Sequence, residues 1–229
     1  APGGSWNGAT YTSEKAGQWI VKAVYLDSTA TTDLTVTHTT DPSKIASITI
    51  TPHQSTIEAG TTQFYTAVAN DIYGNSWSVH ASYRCSNLNV AIIGNSVSSN
   101  IAGTYTITGM YSGKSDSASL TVNANTALLD HIVINPTTSS INVGGSQSYM
   151  VHAFDQYNNA LGDVTAATTF ALNGTSIIGN IVSQNSAGVY IITANYNGKT
   201  VTATLTVQAD SSSSSWRAAC RGPAGRLRR

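Results

Sequence analysis

The chain has 229 residues and a formal net charge of zero, with 41% hydrophobic and only 10% charged residues. Soluble domains average about 25% charged residues; here Thr and Ser, at 60 positions, supply the polarity instead. All eleven acidic groups lie within residues 1–210 against six basic ones, a net −5, so this body lacks the positive footprint that nucleic acid or an anionic membrane surface requires, and no apolar run approaches the ~18 residues of a membrane span.

Residues 1–37 open the chain with Ala16-Gly17-Gln18-Trp19-Ile20-Val21, then Tyr25, then Leu34-Thr35-Val36. The same order returns 86 residues later as Ala102-Gly103-Thr104-Tyr105-Thr106-Ile107, Tyr111 and Leu120-Thr121-Val122. It returns again after 85 more as Ala187-Gly188-Val189-Tyr190-Ile191-Ile192, Tyr196 and Leu205-Thr206-Val207. Self-similarity at a fixed period marks a repeat architecture.

A front half precedes two of these copies. Ile48-Thr49-Ile50-Thr51-Pro52 matches Ile132-Val133-Ile134-Asn135-Pro136, and Ile57-Glu58-Ala59-Gly60 matches Ile141-Asn142-Val143-Gly144. Tyr65 to Asp71 matches Tyr149 to Asp155, followed by Tyr73-Gly74-Asn75 and Tyr157-Asn158-Asn159. The sequence therefore divides into the back half of a truncated repeat at 1–37 and complete repeats at 44–124 and 128–209. Residues 210–229 begin with Ser211 to Ser215 and carry five arginines and Cys220. They read as a flexible basic tail of vector origin, with a basic docking arm as the alternative.

Within each repeat, apolar residues alternate with Thr and Ser over short stretches bounded by Gly, Asn and Pro, the pattern of half-buried strands. About seven strands per 85 residues predicts an all-β fold of tandem immunoglobulin-like Greek-key sandwiches. Tyr105 and Tyr190 stand two residues before Ile107 and Ile192, as the corner tyrosine of such sandwiches stands before a disulfide cysteine. Aliphatic packing against Tyr65-Ala67-Ala69 and Tyr149-Val151-Ala153 replaces the disulfide. Cys85, at period 2 from Val79, is expected opposite Phe170 at a core position.

These motifs resemble the tandem bacterial immunoglobulin-like repeats found on surface adhesins, S-layer-associated proteins and secreted polysaccharide-degrading enzymes. The resemblance spans residues 1–208. It implies a non-catalytic stalk, spacer or adhesion module of an exported parent protein, outside the cell or on its surface. Its partners would be neighbouring domains and cell-surface polysaccharide or protein. The alternatives are a carbohydrate-binding accessory module of a secreted hydrolase, and a hydrolase, metal-dependent or not, built on the scaffold.

No catalytic motif such as GxSxG, HExxH or a P-loop is present. Asp71, Asn75, Asp155 and Asn159 recur in the loops and read either as turn residues or as hard oxygen ligands for Ca²⁺ or another divalent metal. Trp77 is the candidate for stacking on a sugar. A hydrolase would draw on His38, His53, His80 and His131, which lie on or near loops and linkers. The truncated repeat would leave an apolar face and open edges, so a homodimer through that segment is expected.

Overall fold

The computed structural model describes residues 4–209. The described residues divide into two compact units, one up to residue 124 and one from residue 125 onward. No helix among the described residues is long and apolar enough to cross a membrane.

The second unit is built in two layers. In one, Leu129–Asn135 runs antiparallel to Met150–Asp155, whose other edge takes Ala160–Asp163; beside them Ser146–Ser148 pairs with Ile181–Ser183. In the other the order is Thr138–Asn142, Lys199–Gln208, Gly188–Tyr196, Thr169–Leu172 and Thr175–Ile177. The first strand thus splits between the layers. Its second piece lies parallel to the last strand, and the peptide Asn135-Pro136 at the crossing is cis. Later strands cross in turn, which is the Greek-key order of an immunoglobulin-like sandwich. Ile132, Ile134, Val151, Ala153, Phe170, Ile192 and Leu205 meet between the layers, each at most 5% exposed, while Val133 between the two isoleucines is 41% exposed. That alternation follows from the two-residue period of a strand.

The first unit repeats this plan. Ile45–Thr51, Thr66–Asp71 and Ser76–Val79 form one sheet. Ser82–Arg84, Gly103–Tyr111, Lys114–Asn123 and Gln54–Glu58 form the opposing one, and Val90–Ile93, Ser96–Ser99 and Thr62–Phe64 a third. Tyr105 donates its hydroxyl to the carbonyl of Ile101 at 2.7 Å, and Tyr190 to that of Ser186 at 2.9 Å. These are the expected tyrosine corners. Ile107 and Ile192 are fully buried at the positions where other sandwiches carry a cysteine.

Residues 4–36 complete the first unit with two hairpins, Gly4–Asn7 with Thr10–Ser13 and Gly17–Tyr25 with Ser28–Val36. They correspond to Val90–Ile93 with Ser96–Ser99 and to Gly103–Tyr111 with Lys114–Asn123. Trp19 takes the corner role here, its indole N–H donating to Lys15 O at 3.1 Å.

One expectation is corrected. Tyr83 lies opposite Gly109 as Phe170 lies opposite Ala194, so Tyr83 and not Cys85 is the counterpart of Phe170. The second unit has two more residues between Val164 and Phe170 than the first has between Val79 and Tyr83. A 3₁₀ turn at Thr165–Ala167 absorbs them. Cys85 follows the strand Ser82–Arg84, is half-buried, and its Sγ accepts from Asn87 N at 3.5 Å.

The larger Tyr83 ring matches the smaller residue facing it. A Cβ on Gly109 would sit 2.5 Å from Ile50 Cγ2 and 3.2 Å from the Tyr83 ring. Gly109→Ala is expected to destabilise the first unit by about 1–3 kcal/mol through overpacking, read as a lower urea midpoint. An unchanged midpoint would mean that Ile50 moves aside without cost.

Candidate functional site

The two Asp-x-Tyr-x-Asn loops follow the strands Thr66–Asp71 and Met150–Asp155. Each turns through a left-handed residue, Gly74 at φ 80° and Asn158 at φ 66°. Asparagine tolerates that region better than other side-chain-bearing residues, so the exchange between the repeats preserves the turn.

Both aspartates are buried. Asp155 Oδ1 accepts from the N–H groups of Tyr157 and Asn159, each at 2.9 Å. Its Oδ2 accepts from Asn159 Nδ2 at 2.9 Å and from Asn125 N at 3.0 Å. Asp71 Oδ1 accepts from Tyr73 N and Asn75 N at 2.9 Å, and its Oδ2 from Asn75 Nδ2 at 2.7 Å. The Thr39 N–H also bonds this carboxylate. Burial pushes both aspartate pKa values up, but the hydrogen bonds from Asn75 and Asn159, with those from Tyr73, Tyr157 and the backbone of Thr39 and Asn125, outweigh it. Both carboxyls are held below their ordinary value.

The donor set has a chemical consequence. A calcium ion needs oxygen ligands with free lone pairs, whereas these carboxylates are surrounded by N–H groups whose positive ends point at them. A cation entering either loop would have to displace them. Among the described residues no three His, Cys, Asp or Glu side chains gather closely enough to hold a metal ion.

In the first unit the loop does more than close on itself. Asn75 Nδ2 also donates to the carbonyl of Glu14 at 3.0 Å, and Asn75 Oδ1 accepts from Ala16 N at 2.7 Å. Both amide hydrogens and the oxygen of Asn75 are therefore engaged, and the residue is 8% exposed. Glu14 and Ala16 belong to the corner between the two hairpins of the half repeat. Close by in sequence, Trp77 is half-buried and His38 stacks on it, ring centroids 4.1 Å apart and planes 4° from parallel. One face of Trp77, the proposed sugar platform, is thus taken by imidazole. Asp71, Asn75, Trp77 and His38 together fasten the half repeat and its linker to the first complete repeat. Asn75→Ala should cost about 1–3 kcal/mol at this joint and speed amide exchange at Ala16; unaltered exchange there would show that other contacts hold the corner.

The remaining histidines are not brought together. His53 Nε2 lies 3.7 Å from Asp116 Oδ2, an oxygen already accepting from Ile50 N at 2.8 Å. His131 stacks on Phe154 at 5.1 Å and meets Asp130 at 3.1 Å. His80 is exposed at the rim of an open cleft of roughly 570 Å³ lined also by Tyr65, Tyr83 and Asn95. Burial pushes both tyrosine pKa values up.

The sequence does not disclose the roles of Glu14, Ala16 and Thr39, because they act through backbone groups that any residue carries. The recurrence of Ala-Gly at each hairpin corner is the one signal that marks the place.

No protein-family model matches the chain, and no curated protein does. Solved structures that match the chain include domains 1–6 of the surface layer protein SbsC, at 19% identity and a TM-score of 0.35, over 90% of this chain and 34% of that one. Cadherin domains 1–4 of protocadherin gamma B7 match at 12% identity and 0.47, over 85% and 58%. The titin tandem A164–A165 matches at 11% and 0.35, over 73% and 97%. The chain spans about a third of the length of that SbsC structure.

Proposed function

We propose that this chain is a non-catalytic tandem module of the bacterial immunoglobulin-like type, serving as a stalk or spacer in an exported surface protein. The observation that carries the reading is the joint. The residues that looked most like a binding site, Asp71, Asn75, Trp77 and His38, are engaged in holding one repeat to the next. Domains on flexible linkers move independently by default; a side chain that bonds the neighbouring repeat's backbone at two points opposes that motion. A spacer transmits position only if its joints are stiff. The low charge and the Thr- and Ser-rich surface suit an exported protein with no charged ligand.

The test is an assay of purified chain against model esters, phosphoesters and glycosides, with and without EDTA. The expected result is no turnover above a boiled control. Turnover that is lost on His38→Ala or His80→Ala would overturn the reading in favour of a hydrolase.

A further inference from the structure

We propose that the open cleft of the first complete repeat binds one sugar unit of a neutral polysaccharide beside Tyr83. The second complete repeat shows what closes the same place. Between Val164 and Phe170 its chain folds back on the strand Met150–Asp155: Val164 N donates to Val151 O, and Val151 N to Thr165 Oγ1, each at 2.8 Å. Thr168 Oγ1 donates to Val164 O at 2.8 Å and firms the turn. Phe170, which ends this stretch, is 3% exposed. In the first repeat Val79 lies directly opposite Ala67, the counterpart of Val151. Three residues rather than five then lead on to Tyr83, and the 3₁₀ turn has no counterpart. Tyr83 is left half-buried at a cleft of roughly 570 Å³, a size within the ~300–1,000 Å³ of small-ligand sites.

The lining sets the chemistry of the ligand. Tyr65 and Tyr83, ring centroids 5.9 Å apart, supply an aromatic wall. Thr66, Ser78, His80 and Asn95 surround it with hydroxyl, imidazole and amide groups. Among the described residues the side chains of Thr66, Ser78 and His80 have no hydrogen-bond partner, while Asn95 spends its Nδ2 on Tyr65 O at 2.9 Å. None of the lining residues is Asp, Glu, Lys or Arg. A charged ligand would lose hydration here without meeting a counter-charge, and an apolar one would take water from these polar groups and return no hydrogen bond. A neutral pyranose satisfies both demands: its hydroxyls give and accept hydrogen bonds, and its C–H face lies against a tyrosine ring. The matching groove of the second repeat is lined by Asp163, Thr165, Ala166, Thr168, Gly179 and Asn180. It carries a carboxylate and no aromatic ring, so the first repeat alone of the two is equipped to bind.

The test titrates the ¹⁵N-labelled full chain with cellohexaose, mannohexaose and chitohexaose and follows its amide shifts. The expected result is saturable shifts with at least one of them at residues 78–83, Gly94 and Asn95, and none at residues 163–180. His80→Ala and Ser78→Ala, both at exposed positions, should each weaken binding about fivefold or more, the worth of one net hydrogen bond. Exchanging residues 80–82 for a copy of residues 165–169 should close the cleft and abolish binding, while the urea midpoint holds or rises. The absence of a saturable shift with all three sugars overturns the proposal. So does an affinity that is unchanged in both alanine variants or survives the exchanged stretch, and so do equal shifts in the matching groove of the second repeat. Tighter binding of hexagalacturonate, or of a short neutral peptide of alternating valine and threonine, than of every neutral sugar also overturns it.

Discussion

Replacing Asp155 by Ala is expected to cost the second unit about 3–5 kcal/mol. Four N–H groups converge on this fully buried carboxylate, from Asn125, Tyr157 and twice from Asn159. An orphaned buried donor costs about 1–3 kcal/mol, and the sum is reduced because water can reach some of them once the side chain is gone. Asp155→Asn should lose less than the alanine variant, since the amide keeps one acceptor but turns its NH₂ toward other donors. The measurement is the urea midpoint of residues 125–209 followed by amide exchange. The same geometry fixes the response to acid. Both Asp71 and Asp155 have depressed pKa values when folded, so they bind protons less readily in the folded than in the unfolded chain. Their contribution is complete above the unfolded carboxylate value of about 4 and is lost as pH falls below it through the folded values. The wild type should lose stability over that range, and the double alanine variant should lose less of it. EDTA should leave the midpoint where it is; a fall with EDTA would make the loops a metal site.

The second large effect is a contrast between equivalent positions. Leu120→Ala removes a side chain with no exposure from a closed core and should cost about 2–5 kcal/mol. Leu34→Ala removes the matching leucine of the half repeat, which is only half-buried. There the vacated space opens to solvent, so no cavity term applies and the cost should stay below about 1.5 kcal/mol. Amide exchange of the two hairpins compares them directly. Equal losses would mean that the half-repeat face is covered in solution.

The fold was legible because the repeat supplied its own controls. Strand positions, corner tyrosines and the inward Tyr-x-Ala-x-Ala strand all followed from period-2 alternation and from residues that recur. What failed was counting across an irregular stretch: the Thr165–Ala167 turn shifts the alignment by two residues and moved Cys85 into a core place that belongs to Tyr83. The candidate site was legible as a place and less so as a chemistry. Asp-x-Tyr-x-Asn marks the loop, but whether its oxygens face a cation or N–H groups depends on Thr39, Asn125 and the Glu14–Ala16 corner, which enter through backbone atoms. The His38 stack on Trp77 joins residues 39 apart, with no periodic signal to announce it.

The most direct measurement of the stiff joint is ¹⁵N relaxation on the full chain. The account predicts one rotational correlation time for the hairpins of residues 4–36 and the sandwich of residues 45–123, and a shorter one for the hairpins in Asn75→Ala. Independent, faster tumbling of residues 4–36 in the wild type would contradict it.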